Sequence, residues 1–172
     1  MLARPDKNQL RATLLIFAML VTVGALAPTA QSQDADEQAV RRVIESFGIA
    51  INGGDLPTLL GHIAEDAVID SRIARGKVSK QKYADAMTRA FERHQITGFE
   101  IRHVKVTMVD ATHATVLGTI VPRLEGRRLT YDHEWKLEKR AGLWLIVETD
   151  YRTKPQERMQ PVQLAWRASR AR

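Results

Sequence analysis

The chain has 172 residues and no cysteine. That excludes disulfides, thiolate metal ligation, a cysteine nucleophile and a lipid anchor attached through an N-terminal cysteine. It also lacks a phosphate-binding glycine loop, a nucleophile elbow and a dinucleotide fingerprint, which counts against nucleotide chemistry and covalent serine chemistry. No apolar run approaches the ~20 residues that a bilayer span requires. There is no internal repeat and no low-complexity tract.

What the N-terminus does carry is Arg4, Lys7 and Arg11 ahead of the apolar segment Thr13 to Ala27, the order of a secretory signal. Pro28 obstructs processing after Ala27, whereas Ala30-Gln31-Ser32 offers small residues without that obstacle. The expectation is a signal over residues 1–32, a single domain over 33–152 and a basic, poorly ordered tail over 153–172. The protein is then periplasmic or secreted, or anchored to the inner membrane if the signal stays uncleaved. About 140 residues suffice to bury roughly two-thirds of the unfolded chain's surface without covalent staples.

A formal charge of +6 raises the question of nucleic acid, and its distribution answers it. Residues 31–152 hold 18 basic and 18 acidic side chains, so the excess lies at the two ends. No nucleic-acid partner is expected, although Trp166 lies among arginines in the tail.

Periodicity divides the domain in two. Asp34 and Glu37 form a capping-box variant, and Val40, Val43, Ile44, Phe47 and Ile51 recur at helical spacing up to Gly53-Gly54. Asp55 caps a short second helix with Pro57 in its first turn, residues 67–73 read as a strand, and Ser79 caps a third helix bearing Tyr83, Met87, Ala90 and Phe91. From Phe99 the period changes to 2, giving four antiparallel strands at about 99–109, 114–124, 128–138 and 143–152.

Three phrases carry a family resemblance: Gly54-Asp55 before the second helix, Ala64-Glu65-Asp66-Ala67-Val68 at the first strand, and Gly142-Leu143-Trp144-Leu145-Ile146 opening the last. With the element order, they resemble the nuclear transport factor 2-like superfamily, which includes ketosteroid isomerases and SnoaL-like cyclases. The resemblance implies an α+β fold in which a curved antiparallel sheet forms a cone around the long N-terminal helix, with two further helices. It also implies a pocket at the open end and, in many members, a homodimer packed sheet to sheet. The isomerase's aspartate base aligns with Ser71 and its tyrosine donor with Phe47, so that reaction is not expected to carry over.

The last hairpin can be read from its own residues. A four-residue loop over Lys139 to Gly142 pairs Leu137 with Trp144, Trp135 with Ile146, His133 with Glu148 and Tyr131 with Asp150, all on one face. Val116, Gly118 and Ile120 of the preceding strand fall on the same face, and Gly118 leaves room beside Trp135 or His133. His133, Glu148, Asp150 and Tyr131 are therefore the candidate catalytic groups, an imidazole, two carboxylates and a phenol at the rim of an apolar cup. Asp70, Arg72, Trp135, Gly118 and Ile120 are the candidate ligand contacts.

The same four polar groups can instead hold a ligand without chemistry, or only satisfy one another across the strands. Neither a cofactor nor a metal is expected, since the candidate set has one imidazole and no ligand spacing. The expected function is binding of a small, largely apolar molecule, with cofactor-free isomerase, cyclase or hydrolase chemistry as its catalytic extension. The alternative is a non-catalytic module that dimerises or docks a protein through the exposed sheet.

Overall fold

The computed structural model describes residues 30–152 and 156–157. All but the last three residues of the expected signal and most of the expected tail lie outside them. Helix α1 (Ala30–Gly53) and the short α2 (Leu56–Gly61) lead into β1 (Ile63–Ser71) and β2 (Gly76–Ser79), followed by α3 (Lys80–Glu92). Four long strands then run to the end of the domain: β3 (Ile96–Met108), β4 (His113–Leu124), β5 (Arg127–Arg140) and β6 (Leu143–Tyr151). The sheet order is β2-β1-β6-β5-β4-β3, and a two-residue β7 (Gln156–Glu157) pairs off this path with β5. This is the expected α+β architecture, a curved sheet around a long helix.

The helical stripe does what its spacing implies. Val40, Ile44, Phe47 and Ile51 are buried, and they pack with Val116, Ile120, Tyr131, Trp135, Leu137 and Ile146 from the inner face of the sheet. Helix and edge strand are also tied by polar contacts. The Asn52 amide donates to the Phe99 carbonyl and accepts from the Phe99 N–H, both at 2.7 Å, so one side chain stands in for a strand neighbour on β3. Asp55 and Ser79 cap their helices as expected, accepting from the N–H groups of Thr58 and Lys82.

Three boundaries differ from the sequence reading. Helix α1 starts at Ala30 rather than at Asp34; alanine and glutamine extend a helix at little cost, and Glu37 pairs with Arg41 one turn on instead of closing a capping box. Strand β1 begins at Ile63 and ends at Ser71, because its early residues join the sheet beside β6, where Ile63 lies opposite Ile146. Residues 76–79, read as part of a turn and a cap, form β2 against β1.

The decisive difference is in the last hairpin. Its loop is the two-residue Ala141-Gly142, with φ of 49° and 83°, so Arg140 rather than Glu138 pairs with Leu143. A two-residue loop with both residues left-handed matches the twist of the flanking strands. The added residues find acidic partners: Lys139 Nζ lies 2.6 Å from Asp36, and Arg140 is held by Asp66 at 2.6 Å and by Glu138 at 2.7 Å. Near this turn the predicted faces survive, and Leu137, Trp144 and Ile146 are all buried. Further on, Leu137 lies opposite Ile146 but Lys136 lies opposite Glu148, so Val147 is an extra residue in β6. Such a bulge reverses the face of every residue beyond it.

The turn makes one stability prediction. At Gly142 an added Cβ would meet nothing within 4 Å, so substitution there reads backbone strain alone. Gly142→Ala should cost about 1 kcal/mol and Gly142→Asn clearly less, since asparagine tolerates the left-handed region. Urea denaturation of the two variants measures both; equal stability of Gly142→Ala and the parent would contradict the turn geometry.

Candidate functional site

A chamber of about 60 Å³, open to solvent at its mouth, lies between α1, α3 and the inner face of the sheet. Phe47, Ile51, Met87, Phe99 and Ile120 make its walls largely apolar, and Tyr83, Tyr131, His133, Thr149 and Tyr151 supply the polar side chains. Each strand delivers its contribution by alternation. Val116, Gly118 and Ile120 of β4 lie opposite Trp135, His133 and Tyr131 of β5, all facing inward as expected. An added Cβ at Gly118 would come within 3.2 Å of the Trp135 ring and 3.4 Å of the Arg102 carbonyl, so only glycine fits there without displacement.

The bulge at Val147 determines what stands beside them. His133 lies opposite Tyr151, not Glu148, and Trp135 lies opposite Thr149, not Ile146. Glu148 and Asp150 face the outer surface. Glu148 accepts from Lys136 at 2.7 Å and lies 3.5 Å from Lys77, while Asp150 lies 3.6 Å from Lys77. The Lys136 hydrogen bond holds the Glu148 carboxyl below its usual range. The structure therefore brings together His133 and Tyr131, with Trp135, Gly118 and Ile120 behind and beside them, and sends the two acids of the expected constellation to the opposite face.

Asp70 and Arg72 approach the site from the end of β1. Asp70 is paired in register with Lys77 of β2, and Arg72 lies past the end of β1 with its guanidinium 5.2 Å from the centre of the Tyr151 ring. Both reach the chamber mouth. Ser71, which stands where the resemblance places an aspartate base, and Phe47, which stands at the tyrosine donor's position, both line the chamber. The Ser71 hydroxyl accepts from the Ala74 N–H at 3.2 Å.

His133 is the most constrained group. It is 4% exposed, meets the Trp135 and Tyr151 rings edge to face at 4.6 and 4.9 Å, and leaves Nδ1 buried without a hydrogen-bond partner. Burial penalises the imidazolium and pulls the pKa down to about 3, only weakly opposed by the charge of Asp150. The ring is neutral at physiological pH. The Trp135 Nε1 is likewise buried and unpartnered.

The phenols are pushed the other way. Burial first, then the neighbouring Tyr151, raise the Tyr131 pKa far above its ordinary value, and burial raises that of Tyr151. The Tyr131 and Tyr151 rings meet edge to face at 4.8 Å, and the Tyr151 oxygen accepts from the Arg72 N–H at 2.8 Å. Both remain protonated; Tyr131 donates to the Tyr151 oxygen, and Tyr151 keeps its own O–H to donate. Among the described residues no cluster of three or more histidine or acidic side chains could hold a metal ion.

Tyr151, Thr149 and Ser71 were not anticipated from the sequence as chamber groups, and Tyr83 was read as packing. The available signal was charge: Lys77 and Lys136 on the outer face give Glu148 and Asp150 partners there that an inward orientation would deny them.

This is the nuclear transport factor 2-like fold. It is shared by an NTF2-like protein of unknown function from Pseudomonas putida KT2440, with a TM-score of 0.62 and 18% identity over 74% of this chain and 98% of that one. A scytalone dehydratase-like protein from Novosphingobium aromaticivorans DSM 12444 superposes with a TM-score of 0.61 at 14% identity, covering 76% of this chain and 92% of its own. A ketosteroid isomerase-like protein from Erwinia carotovora atroseptica SCRI1043 gives 0.56 and 19% over 69% and 98%. At these identities the likeness is one of fold. No protein-family model and no curated protein sequence matches the chain.

The neutral, buried His133 makes a prediction with a definite sign. An unfolded histidine titrates near 6.5, so between about pH 6.5 and 3 the unfolded chain binds a proton that the folded chain does not. Stability that is complete above about pH 6.5 is lost as the pH falls, by up to ~1.4 kcal/mol per pH unit. His133→Gln should flatten the slope of unfolding free energy between pH 6 and 4.5. His62 also titrates low because of burial and leaves a residual slope. An unchanged slope in the variant would contradict the assignment.

Proposed function

We propose that the domain binds a small, largely apolar molecule in the chamber between α1 and the sheet. The observation that carries this reading is a largely apolar cavity wall in which a few polar side chains, His133, Thr149 and Tyr151 among them, converge. The protonated Tyr151, whose oxygen accepts from Tyr131 and from the Arg72 N–H, adds a hydrogen-bond donor at the same wall. The dehydratase-like and isomerase-like names of two structural neighbours fit a small organic ligand.

Acid–base turnover is the less favoured extension. A general base works best with a pKa near the operating pH, and an imidazole at about 3 lies about four units below neutrality. The carboxylates that could raise it, Glu148 and Asp150, face outward against Lys77 and Lys136. Binding therefore ranks above isomerase, cyclase or hydrolase chemistry. The probe 1-naphthalenemethanol, neutral and bicyclic, should raise the melting temperature of the parent protein. Ile120→Trp, which fills the chamber, should remove that shift while retaining the far-ultraviolet circular dichroism of the parent. No shift in the parent, or the same shift in the filled variant, would refute the pocket reading.

The alternative, assembly through the outer sheet face, has its own support: Val68 and Leu117 are 44% and 41% exposed there. Export is supported by the three cations ahead of the apolar run Thr13 to Ala27. One experiment reads both. Native mass spectrometry of protein recovered from the periplasm should show two copies of a chain beginning near Gln33. A monomer would refute the dimer, and an intact Met1 would refute signal cleavage.

A further inference from the structure

The chamber opens onto a shallow depression whose lining includes Arg72, Arg75, Gly76 and Arg152. Asp70, Ser71, Arg72 and Tyr151 border both spaces, so the two are continuous. We propose that this mouth selects ligands with an anionic head, so that the molecule taken up is an amphipathic carboxylate or its equivalent: apolar body in the chamber, charged end on Arg72 and Arg75. This rests on the pocket reading above and specifies the chemistry of what enters.

The argument begins with the partners of each charge at the mouth. Arg152 is paired with Glu134. Asp70 borders the same mouth and forms no ion pair among the described residues, since Lys77 across the strand pair is engaged by Glu148 and Asp150. Among the described residues, neither Arg72 nor Arg75 pairs with an acidic side chain. Arg72 and Arg75, without counter-ions among the described residues, outnumber the single carboxylate of Asp70 and leave a net positive charge at the mouth.

The local structure fixes them in place. Ser71 accepts from Ala74 at 3.2 Å and the Arg72 carbonyl accepts from Arg75 at 3.3 Å, closing a turn in which Arg75 takes the left-handed φ of 63°. The Arg72 N–H donates to the Tyr151 hydroxyl, and the Arg72 guanidinium sits over the Tyr151 ring. Stacking uses the face of a guanidinium and leaves its in-plane N–H groups free, the edge that binds a carboxylate in two parallel hydrogen bonds. The same Tyr151 whose ring meets His133 inside the chamber thus presents Arg72 at its entrance, so the apolar and cationic parts of the site are rigidly linked.

The test compares 1-naphthoate with 1-naphthalenemethanol, which share one apolar body and differ in head-group charge, by titration calorimetry at pH 7.5. The parent protein should bind 1-naphthoate about tenfold more tightly at low salt, a difference that shrinks at ~1 M salt, where the screening length falls to about 3 Å. Arg75→Gln should reduce this preference several-fold while leaving 1-naphthalenemethanol affinity unchanged, and the double variant Arg72→Gln, Arg75→Gln should bring the ratio of the two affinities to about one. Equal affinities in the parent, or a preference that survives in the double variant, would overturn the anionic-head proposal and leave the pocket reading standing. Failure of both probes to bind the parent would overturn the pocket reading and this proposal with it.

Discussion

Between Leu137 and Lys136 the ladder joining β5 to β6 skips Val147, and the composition of the chamber depends on that extra residue. In a strand, alternation is strict, so a one-residue slip exchanges the two faces for everything that follows. Here it turns Thr149 and Tyr151 inward and Glu148 and Asp150 outward. Without it, two carboxylates would enter a cavity walled by Phe47, Ile51 and Ile120, where an ionised acid without partners is costly to bury. With it, they enter a surface ladder of ion pairs with Lys77 and Lys136.

The electrostatic character of the site follows. The chamber holds a neutral imidazole and protonated phenols, and its charges are confined to the lip, where solvent can reach them. Such an interior discriminates by shape and by a few hydrogen bonds. The carboxylate base of the ketosteroid isomerases has no counterpart at Ser71, and the bulge withholds the only acids that the last strand could supply. A cavity of this kind keeps the fold's binding geometry without the pKa pairing that acid–base catalysis requires.

The fold was readable in the sequence because its signals are local and redundant. The stripe Val40, Ile44, Phe47, Ile51 defines the buried side of α1, Asp55 and Ser79 mark helix starts, and β-branched alternation marks the strands. The β4–β5 part of the site was readable too, since the tight turn at Glu125-Gly126 keeps Gly118 opposite His133 and Ile120 opposite Tyr131. The β6 part was not. A bulge leaves no local signature in Ile146-Val147-Glu148, and it is stabilised by non-local partners: Lys136 on one side and β1, whose own register against β6 is irregular between Ile63 and Val68, on the other. The two-residue turn was missed because Lys139 and Arg140 look like loop residues until Asp36 and Asp66 are placed beside them.

The central claim is therefore a statement about register, and cross-strand proton contacts measured by nuclear Overhauser spectroscopy on labelled protein test it directly. Backbone contacts linking Trp135 with Thr149 and Lys136 with Glu148 are the predicted result. Contacts linking Trp135 with Glu148 and His133 with Asp150 would show an unbulged strand that carries its acids inward, and would contradict the account.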